Sequence, residues 1–445
     1  MVERTDASPL EALARRVRSA SVSLPFASPV GAVSSVLTSS IVVEGLSRWL
    51  KLGSLVEVRV AHGYELAEVV RLERDHAVCK AFETRSAIGL GDPVHPARDQ
   101  VYYPHDSWKG RIINALGRPM DGAGELETGT SPVRLQAAPP GSMARQLVGQ
   151  QVKTGIRVLD TFTPVCMGQR IGIFAGSGVG KSSLVSMIAN TDAFDVTVIS
   201  LVGERGREVR EFVDLTLGGS ADRAVTVVST GDESAMMRRM APQLATAVAE
   251  YFRDQGRSVL LIMDSVTRFA HACRDVALSA GEPPVARGFP PIVFSQLPQL
   301  LERAGPGAIG KGMITAFYTV LVDGDDHNDP VADAVRGMLD GHIVLDRSIA
   351  AEGRYPAVDL LNSLSRLAHR AWTPDQQKAV GELRRLVSRF EDSRDLRAMG
   401  GYASGSDPEL DKAIEVVPKL YGVLSQRLDE APSADGFREI ANAIV

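Results

Sequence analysis

The run Ala175-Gly176-Ser177-Gly178-Val179-Gly180-Lys181-Ser182 follows the apolar segment Arg170-Ile171-Gly172-Ile173-Phe174 and precedes a helical pattern of Leu184, Val185, Met187 and Ile188. A β-type run, a glycine-dense turn and a helix, in that order, are what a phosphate-binding loop requires. The glycines let successive backbone N–H groups turn inward around phosphate oxygens, and the helix directs its positive dipole end at the same point. A lysine closing such a loop reaches the β- and γ-phosphates, and the hydroxyl after it completes a Mg²⁺ shell. Lys181 and Ser182 take those positions, with Ser183 beside them in the first helical turn. The usual leading glycine is Ala175, which is still small enough for the turn. The pattern implies a nucleoside triphosphate site.

Two carboxylates stand where such a site needs them. Val259-Leu260-Leu261-Ile262-Met263-Asp264 is an apolar strand ending in an acid, about 80 residues after the loop. A nucleotide-hydrolysing sheet places there the acid that holds Mg²⁺ through its water shell. Gly203-Glu204-Arg205-Gly206-Arg207-Glu208 follows the strand pattern Val196–Val202. At a strand's carboxyl edge, Glu204 can orient and polarise a water for attack on the γ-phosphorus. The same string also reads as a solvated charged turn with Arg205 and Glu208 in surface ion pairs.

The elements that must position these groups are legible as alternating patterns. Near-continuous apolar runs at Ile171–Phe174, Val196–Val202, Ala224–Ser229, Val259–Met263, Ile314–Val322 and His342–Leu345 predict a parallel sheet buried on both faces, with strands and helices alternating over 97–370. From about Phe26 to His95, short runs at Gly31–Leu37, Ile41–Val43, Leu55–Val60, Glu65–Leu72 and Ala77–Phe82 predict a small β-barrel ending in Gly89-Leu90-Gly91-Asp92-Pro93. After Trp372, Thr373, Pro374 and Gln376 form a capping signature ahead of an apolar face of Val380, Leu383, Val387 and Phe390. A further helix starts near Ser406-Asp407-Pro408-Glu409, with Pro418 expected to interrupt it. Residues 8–18 read as a short amphipathic helix, capped by Ser8, Pro9 and Glu11, with Leu10, Leu13, Ala14 and Val17 on one face. Such a helix either docks on its own domain or binds a partner. The expected domains are a 1–25 tail, a 26–96 barrel, a 97–370 nucleotide domain and a 371–445 helical domain.

Composition bounds the rest. The 445 residues are 44% hydrophobic and 23% charged, which is ordinary for a globular chain of two or three domains. A net charge of -5, and a barrel segment with balanced charge and only Phe26, Trp49, Tyr64 and Phe82 as aromatics, speak against nucleic acid as the main partner. Cys79, Cys166 and Cys273 are scattered without metal-like spacing, so a reducing compartment is expected. No run of 18 apolar residues is present and the N-terminus is polar, so the expected location is the cytoplasm.

A specific resemblance rests on an ordered set of strings. These are the phosphate loop, Gly203-Glu204-Arg205, Ala249-Glu250-Tyr251-Phe252-Arg253-Asp254, Asp264-Ser265-Val266-Thr267-Arg268-Phe269-Ala270, Gly281-Glu282-Pro283-Pro284, Ile314-Thr315-Ala316-Phe317-Tyr318-Thr319-Val320-Leu321, Asp329-Pro330-Val331-Ala332-Asp333 and Leu339-Asp340-Gly341-His342-Ile343-Val344-Leu345. The last is Tyr355-Pro356-Ala357-Val358-Asp359-Leu360-Leu361-Asn362-Ser363-Leu364-Ser365-Arg366. The chain resembles the catalytic-subunit superfamily of rotary ATP synthases and type III secretion ATPases, and within it the flagellar protein-export ATPases, over about 28–425. That resemblance implies an α/β fold, a RecA-like P-loop core with an N-terminal β-barrel and a C-terminal helical domain. It implies that ATP and Mg²⁺ are bound, with Ala175 to Ser183 around the phosphates and Ser182 and Asp264 on the metal. It makes Glu204 the water-activating base, with Arg205 beside it and Lys181 on the phosphates. Tyr355, which alone reads as a packing ring, becomes the ring on adenine, and Arg366 becomes the arginine reaching a neighbouring subunit's site.

The implied assembly is a homohexameric ring that energises flagellar export by releasing chaperones and unfolding cargo. Export-gate proteins, chaperones and secreted cargo are then its partners, with a stator-like regulator on the N-terminal helix. Peripheral contact with the cytoplasmic face of the inner membrane follows, and nucleic acid is not a partner. The alternatives are the ATPase of a virulence injectisome, a rotary ATP synthase catalytic subunit and a ring-shaped RNA translocase.

Overall fold

The computed structural model describes residues 29–444 apart from 85, 99, 214–217 and 323–328. The amphipathic segment expected at 8–18, with the rest of the tail, lies outside the described residues. The chain forms two compact units, 1–99 and 100–445.

In the first unit the strands close into a barrel in the order Gly31–Val36, Ile41–Glu44, His76–Ala81, Gly63–Leu72, Leu55–Val60 and Pro93–Pro96. All pairings are antiparallel. Alternation fills most of it: Val33, Val43, Val58, Val69 and Val94 are buried while their neighbours along each strand are more exposed, and Val56 is buried beside Leu55, whereas Ala77 to Lys80 of His76–Ala81 are buried in succession. The sixth strand lies inside the expected 26–96 barrel but is not one of the five runs legible in the sequence. Pro93 is tolerated as a first strand residue, and Val94 pairs with both Gly31 and Val58, so this strand removes the two open edges. Closure needs Gly31 itself, because a Cβ there would stand 2.4 Å from the Glu44 carbonyl oxygen.

The second unit is organised on one nine-stranded sheet. From edge to edge the order is Leu364–Ser365, Gly341–Leu345, Arg170–Ala175, Met313–Leu321, Ser258–Asp264, Val196–Glu204, Ala224–Thr230 and Ile112–Asn114, with Gly305–Pro306 paired on Met313–Leu321. Only Leu364–Ser365 and Gly305–Pro306 run antiparallel. The register sets Ala175 opposite Leu321 and Leu345, and Asp264 opposite Leu201, so the carboxyl ends of the central strands line one crevice. Open parallel sheets bind ligands in that crevice. Residues 97–150 do not alternate strands and helices as expected: a single helical turn, Asp106–Trp108, and the edge strand Ile112–Asn114 are their regular elements among the described residues.

The C-terminal helices belong to the same unit. Thr373 and Gln376 form the expected capping box at the start of Pro374–Asp392. Pro408–Leu424 runs unbroken through Pro418, where an interruption is expected from the sequence. Pro418 is exposed, and Leu410, Ala413, Val417 and Leu420 of this helix are buried in one core with Val380, Leu386 and Val387. That burial outweighs the hydrogen bond Pro418 forfeits. Among the described residues no helix is long and apolar enough to cross a membrane.

Candidate active site

The strand Arg170–Ala175 delivers the chain into the loop, where Gly178 and Gly180 have φ of +78° and +93°. Glycine adopts that region without a steric penalty. The helix Lys181–Ala189 starts at Gly180, and no side chain caps it, so its first amides are free to meet a ligand at the positive end of the helix. The hydroxyls of Ser182 and Ser183 are exposed at the same end. Tyr355 closes on the loop from another segment: a Cβ on Gly180 would lie 3.2 Å from its Cδ1 and Cε1. The ring is 43% exposed and so keeps a free face.

Three adjacent strands then bring the charges together. Lys181 Nζ donates to both carboxylate oxygens of Asp264 at 2.5 Å and stands 3.9 Å from Glu204 Oε1. Asp264 ends Ser258–Asp264, and Glu204 ends its neighbour Val196–Glu204. From the other side Thr319 of Met313–Leu321 donates its hydroxyl to Asp264 Oδ1 at 2.7 Å. The sequence reading gave Thr319 no role. Its signal was a hydroxyl inside an apolar strand, since a fully buried hydroxyl needs a partner.

Glu204 is perturbed by these surroundings. Burial raises its pKa, the Asp264 carboxylate raises it further, the Lys181 ammonium opposes both, and Glu208 adds to the rise; the group is pushed up to about 7. A carboxyl tuned close to neutrality in a cleft is matched to accepting a proton at physiological pH. The two readings of 203–208 therefore divide between residues. Glu204 faces the cluster, whereas the Arg205 side chain is 81% exposed and pairs with Glu208 at 3.4 Å. Arg205, expected beside the base, is not brought to the Lys181–Asp264 pair. The stem of Arg268 packs over Gly203 instead, its Cγ and Cδ 3.1 Å from where a Cβ would be.

Arg366 is elsewhere. Its backbone N–H donates to Asp340 O at 2.9 Å, and the Asp340 N–H donates to Arg170 O, at the start of the strand whose far end is the loop. Five residues of strand, about 17 Å, separate that level from Ala175. The Arg366 side chain is exposed beyond the edge strand Leu364–Ser365, and its guanidinium has no hydrogen-bond or ion-pair partner among the described residues.

The residues present fit a nucleotide that carries its own metal. Among the described residues no group of three or more His, Cys, Asp or Glu is placed to hold an ion. Mg²⁺ in nucleotide sites uses one or two protein oxygens and takes the rest from phosphates and water, a role within the donor set of Ser182 and Asp264.

Comparison with known proteins places the chain. Residues 155–365 match the nucleotide-binding domain of the ATP synthase alpha/beta family. Residues 372–439 match the C-terminal domain of the type III secretion ATPase EscN. A flagellum-specific ATP synthase of Agrobacterium fabrum is 55% identical over 414 residues, 93% of this chain and 88% of the relative. The chain belongs to the flagellar and type III secretion ATPases. A type 3 secretion system ATPase of Xanthomonas euvesicatoria shares 44% identity over 425 residues, 93% of each chain. The solved structure of assembled EscN from enteropathogenic E. coli superposes with a TM-score of 0.86 at 40% identity, covering 93% of this chain and 98% of that one. EscN has also been solved with its central stalk EscO, with a TM-score of 0.84 at 39% identity over 93% of this chain and 100% of that one. This ATPase therefore has the expected α/β nucleotide core with its N-terminal barrel and C-terminal helices, and it binds and hydrolyses a nucleotide.

Proposed function

We propose that this ATPase works as a homohexameric ring that hydrolyses Mg-ATP at subunit interfaces to energise flagellar protein export. The observation that carries the reading is the separation of its catalytic parts. Lys181, Glu204 and Asp264 converge at the phosphate loop, while Arg366 follows the edge strand at the level of Arg170, five strand residues or about 17 Å of strand before the loop's base. A chain built this way is completed by a second copy, and a closed ring satisfies every interface. Lys181 holds the β- and γ-phosphates, exchanging its Asp264 contacts for phosphate oxygens. Ser182 and Asp264 serve the Mg²⁺ that enters with the substrate, and Tyr355 supplies a ring for adenine. Glu204 takes a proton from the attacking water as an O–P bond forms to the γ-phosphorus and the bond to the β,γ-bridging oxygen breaks, leaving ADP and phosphate. Arg366 of the adjacent subunit stabilises charge on the transferred group, worth about 10³–10⁵ in rate in enzymes that use such a finger.

The flagellar assignment is supported by 55% identity to the flagellar relative against 44% to the secretion-system ATPase. The assembled EscN structure supports the ring, and the EscN–EscO complex supports a stalk-like partner. Export-gate proteins, chaperones and cargo, a stator-like regulator on the N-terminal segment, and peripheral contact at the cytoplasmic face of the inner membrane complete the reading.

Mixed rings test it. Arg366→Ala homomers and Glu204→Gln homomers are each expected to be nearly inactive. Mixing them recreates interfaces where an intact Glu204 meets an intact Arg366, so phosphate release should partly recover, and specific activity of the wild type should rise steeply with protein concentration. Absence of recovery at every ratio, with mixed assembly confirmed by cross-linking, would overturn the trans arrangement.

A further inference from the structure

The segment that ends in Arg366 is tied down by one buried amide that the catalytic reading leaves without a role. Gln169 is fully buried and directly precedes the strand Arg170–Ala175. An amide buried there is costly unless its hydrogen-bonding groups are matched. Its Nε2 donates to the Ser365 hydroxyl at 3.0 Å and to the Asp340 carbonyl at 3.1 Å. Its Oε1 accepts from the Cys166 N–H at 2.8 Å, and its main-chain carbonyl accepts from Ala316 N at 2.9 Å in the centre of the sheet. The side chain is therefore anchored at the sheet's middle and reaches outward to the two groups that flank Arg366.

Both of those groups bear directly on the arginine. Ser365 is the residue before it, and Asp340 O is the acceptor of its backbone N–H. Asp340 is itself fixed, because its carboxylate takes the Arg170 N–H at 3.0 Å and the guanidinium at 3.1 and 3.2 Å. Three residues upstream, the Ser363 hydroxyl accepts from Val344 N at 3.0 Å, and the Ser363 carbonyl accepts from Arg384 at 3.1 Å. The guanidinium of Arg366 has no hydrogen-bond or ion-pair partner of its own among the described residues, so within one chain this backbone is what fixes the point from which the side chain departs.

We propose that Gln169 is a positioning residue for Arg366: through Ser365 Oγ and Asp340 O it fixes the stance of the arginine offered to the next subunit, and so acts on the neighbour's site rather than on its own. The proposal rests on the trans role of Arg366 given above. A finger displaced by about 1 Å loses on the order of 10²-fold in rate, and the amide holds both the side chain of the residue before Arg366 and the carbonyl that accepts the Arg366 N–H.

The two-chain mixture separates cause from place. One chain, Glu204→Gln, donates the intact Arg366; the other, Arg366→Ala, holds the intact Glu204 site. Gln169→Leu, close in volume but without the amide, is added to one chain or the other. Added to the finger donor, it should lower the recovered kcat by about 10–100-fold while KM for ATP stays within about twofold. Added to the site holder, it should leave the recovered kcat unchanged. Ser365→Ala, which removes one of the two acceptors, should act in the same direction through the donor chain with a smaller effect, and it serves if the leucine chain fails to assemble. Equal losses from either chain would show a merely structural role and overturn the proposal, as would no loss from the donor. Failure of the parent mixture to recover would instead overturn the trans reading on which it rests.

Discussion

At the scale of single residues, the site is a balance between Glu204 and its neighbours. Its raised pKa makes the carboxyl ready to accept a proton near neutrality and also makes the native state bear a cost. Because the folded pKa lies above the usual value, the folded chain holds the proton more tightly between about 4.5 and 7, and stability declines as pH rises through that window. Two outcomes follow. The acid limb of kcat/KM, which reports the free enzyme, should climb tenfold per pH unit and level off near pH 7. Glu204→Gln should abolish turnover and keep ATP bound, and it should melt at a higher temperature than the wild type at pH 8, measured by calorimetry. A lower melting temperature would contradict the burial account of that pKa. Thr319→Val tests the other side of the cluster. The hydroxyl is fully buried and donates to a carboxylate, so its loss should cost about 1.5–3 kcal/mol in denaturant unfolding with little change in shape. An unchanged midpoint would mean that another donor reaches Asp264.

Elements explain why these groups meet. Glu204, Asp264 and Thr319 come from three segments each more than fifty residues from the next, and the parallel register brings them to the same end of the sheet, with Asp264 opposite Leu201 and one residue past the Met263–Tyr318 pair. The loop works only with glycines where φ is positive. Gly180→Ala meets both a left-handed backbone and the Tyr355 ring, so nucleotide affinity should fall by about tenfold or more for a strain of about 1–3 kcal/mol. Isothermal titration with a non-hydrolysable ATP analogue measures this; affinity within twofold of the wild type would show that the ring and loop move apart freely. The same scale separates what was legible from what was not. The phosphate loop, the strands ending in Asp264 and Glu204, and the Thr373 capping box are local patterns, and each appears where the sequence put it. The strand Pro93–Pro96 and the passage of Pro408–Leu424 through Pro418 were hidden, because each depends on a partner distant in sequence.

For the whole molecule, the segment expected at 8–18 lies outside the described residues, and its part is a prediction about assembly. In the expected helix, Leu10, Leu13 and Val17 would share one face, each side chain worth about 1.5–3 kcal/mol when fully buried on a partner. Deleting residues 1–18 is expected to leave ATP binding intact, to abolish binding of a stator-like regulator and to shift the protein concentration at which activity rises. Analytical ultracentrifugation and thermal unfolding of the truncated chain check it. A large loss of thermal stability with regulator binding retained would mean the helix braces its own barrel.

The residue types and spacings alone pointed to a nucleoside triphosphate site, through a glycine-rich loop closed by a lysine and a strand ending in Asp264, and left Glu204 with two readings; the near-continuous apolar runs indicated the parallel sheet around them. Tertiary structure decided which charges serve that chemistry. Glu204 and Arg205 are adjacent in sequence, yet one turns into the cleft and the other into solvent, because Glu204 ends the strand beside the one that carries Asp264, whereas Arg205 lies past the sheet at the N-cap of Gly206–Glu211. Tyr355 gained its place against Gly180, and Gln169 its hold on the Arg366 segment, from the packing of segments some 175 to 200 residues apart in the chain. Such contacts are set by the summed burial of the sheet and helices, which no local pattern encodes.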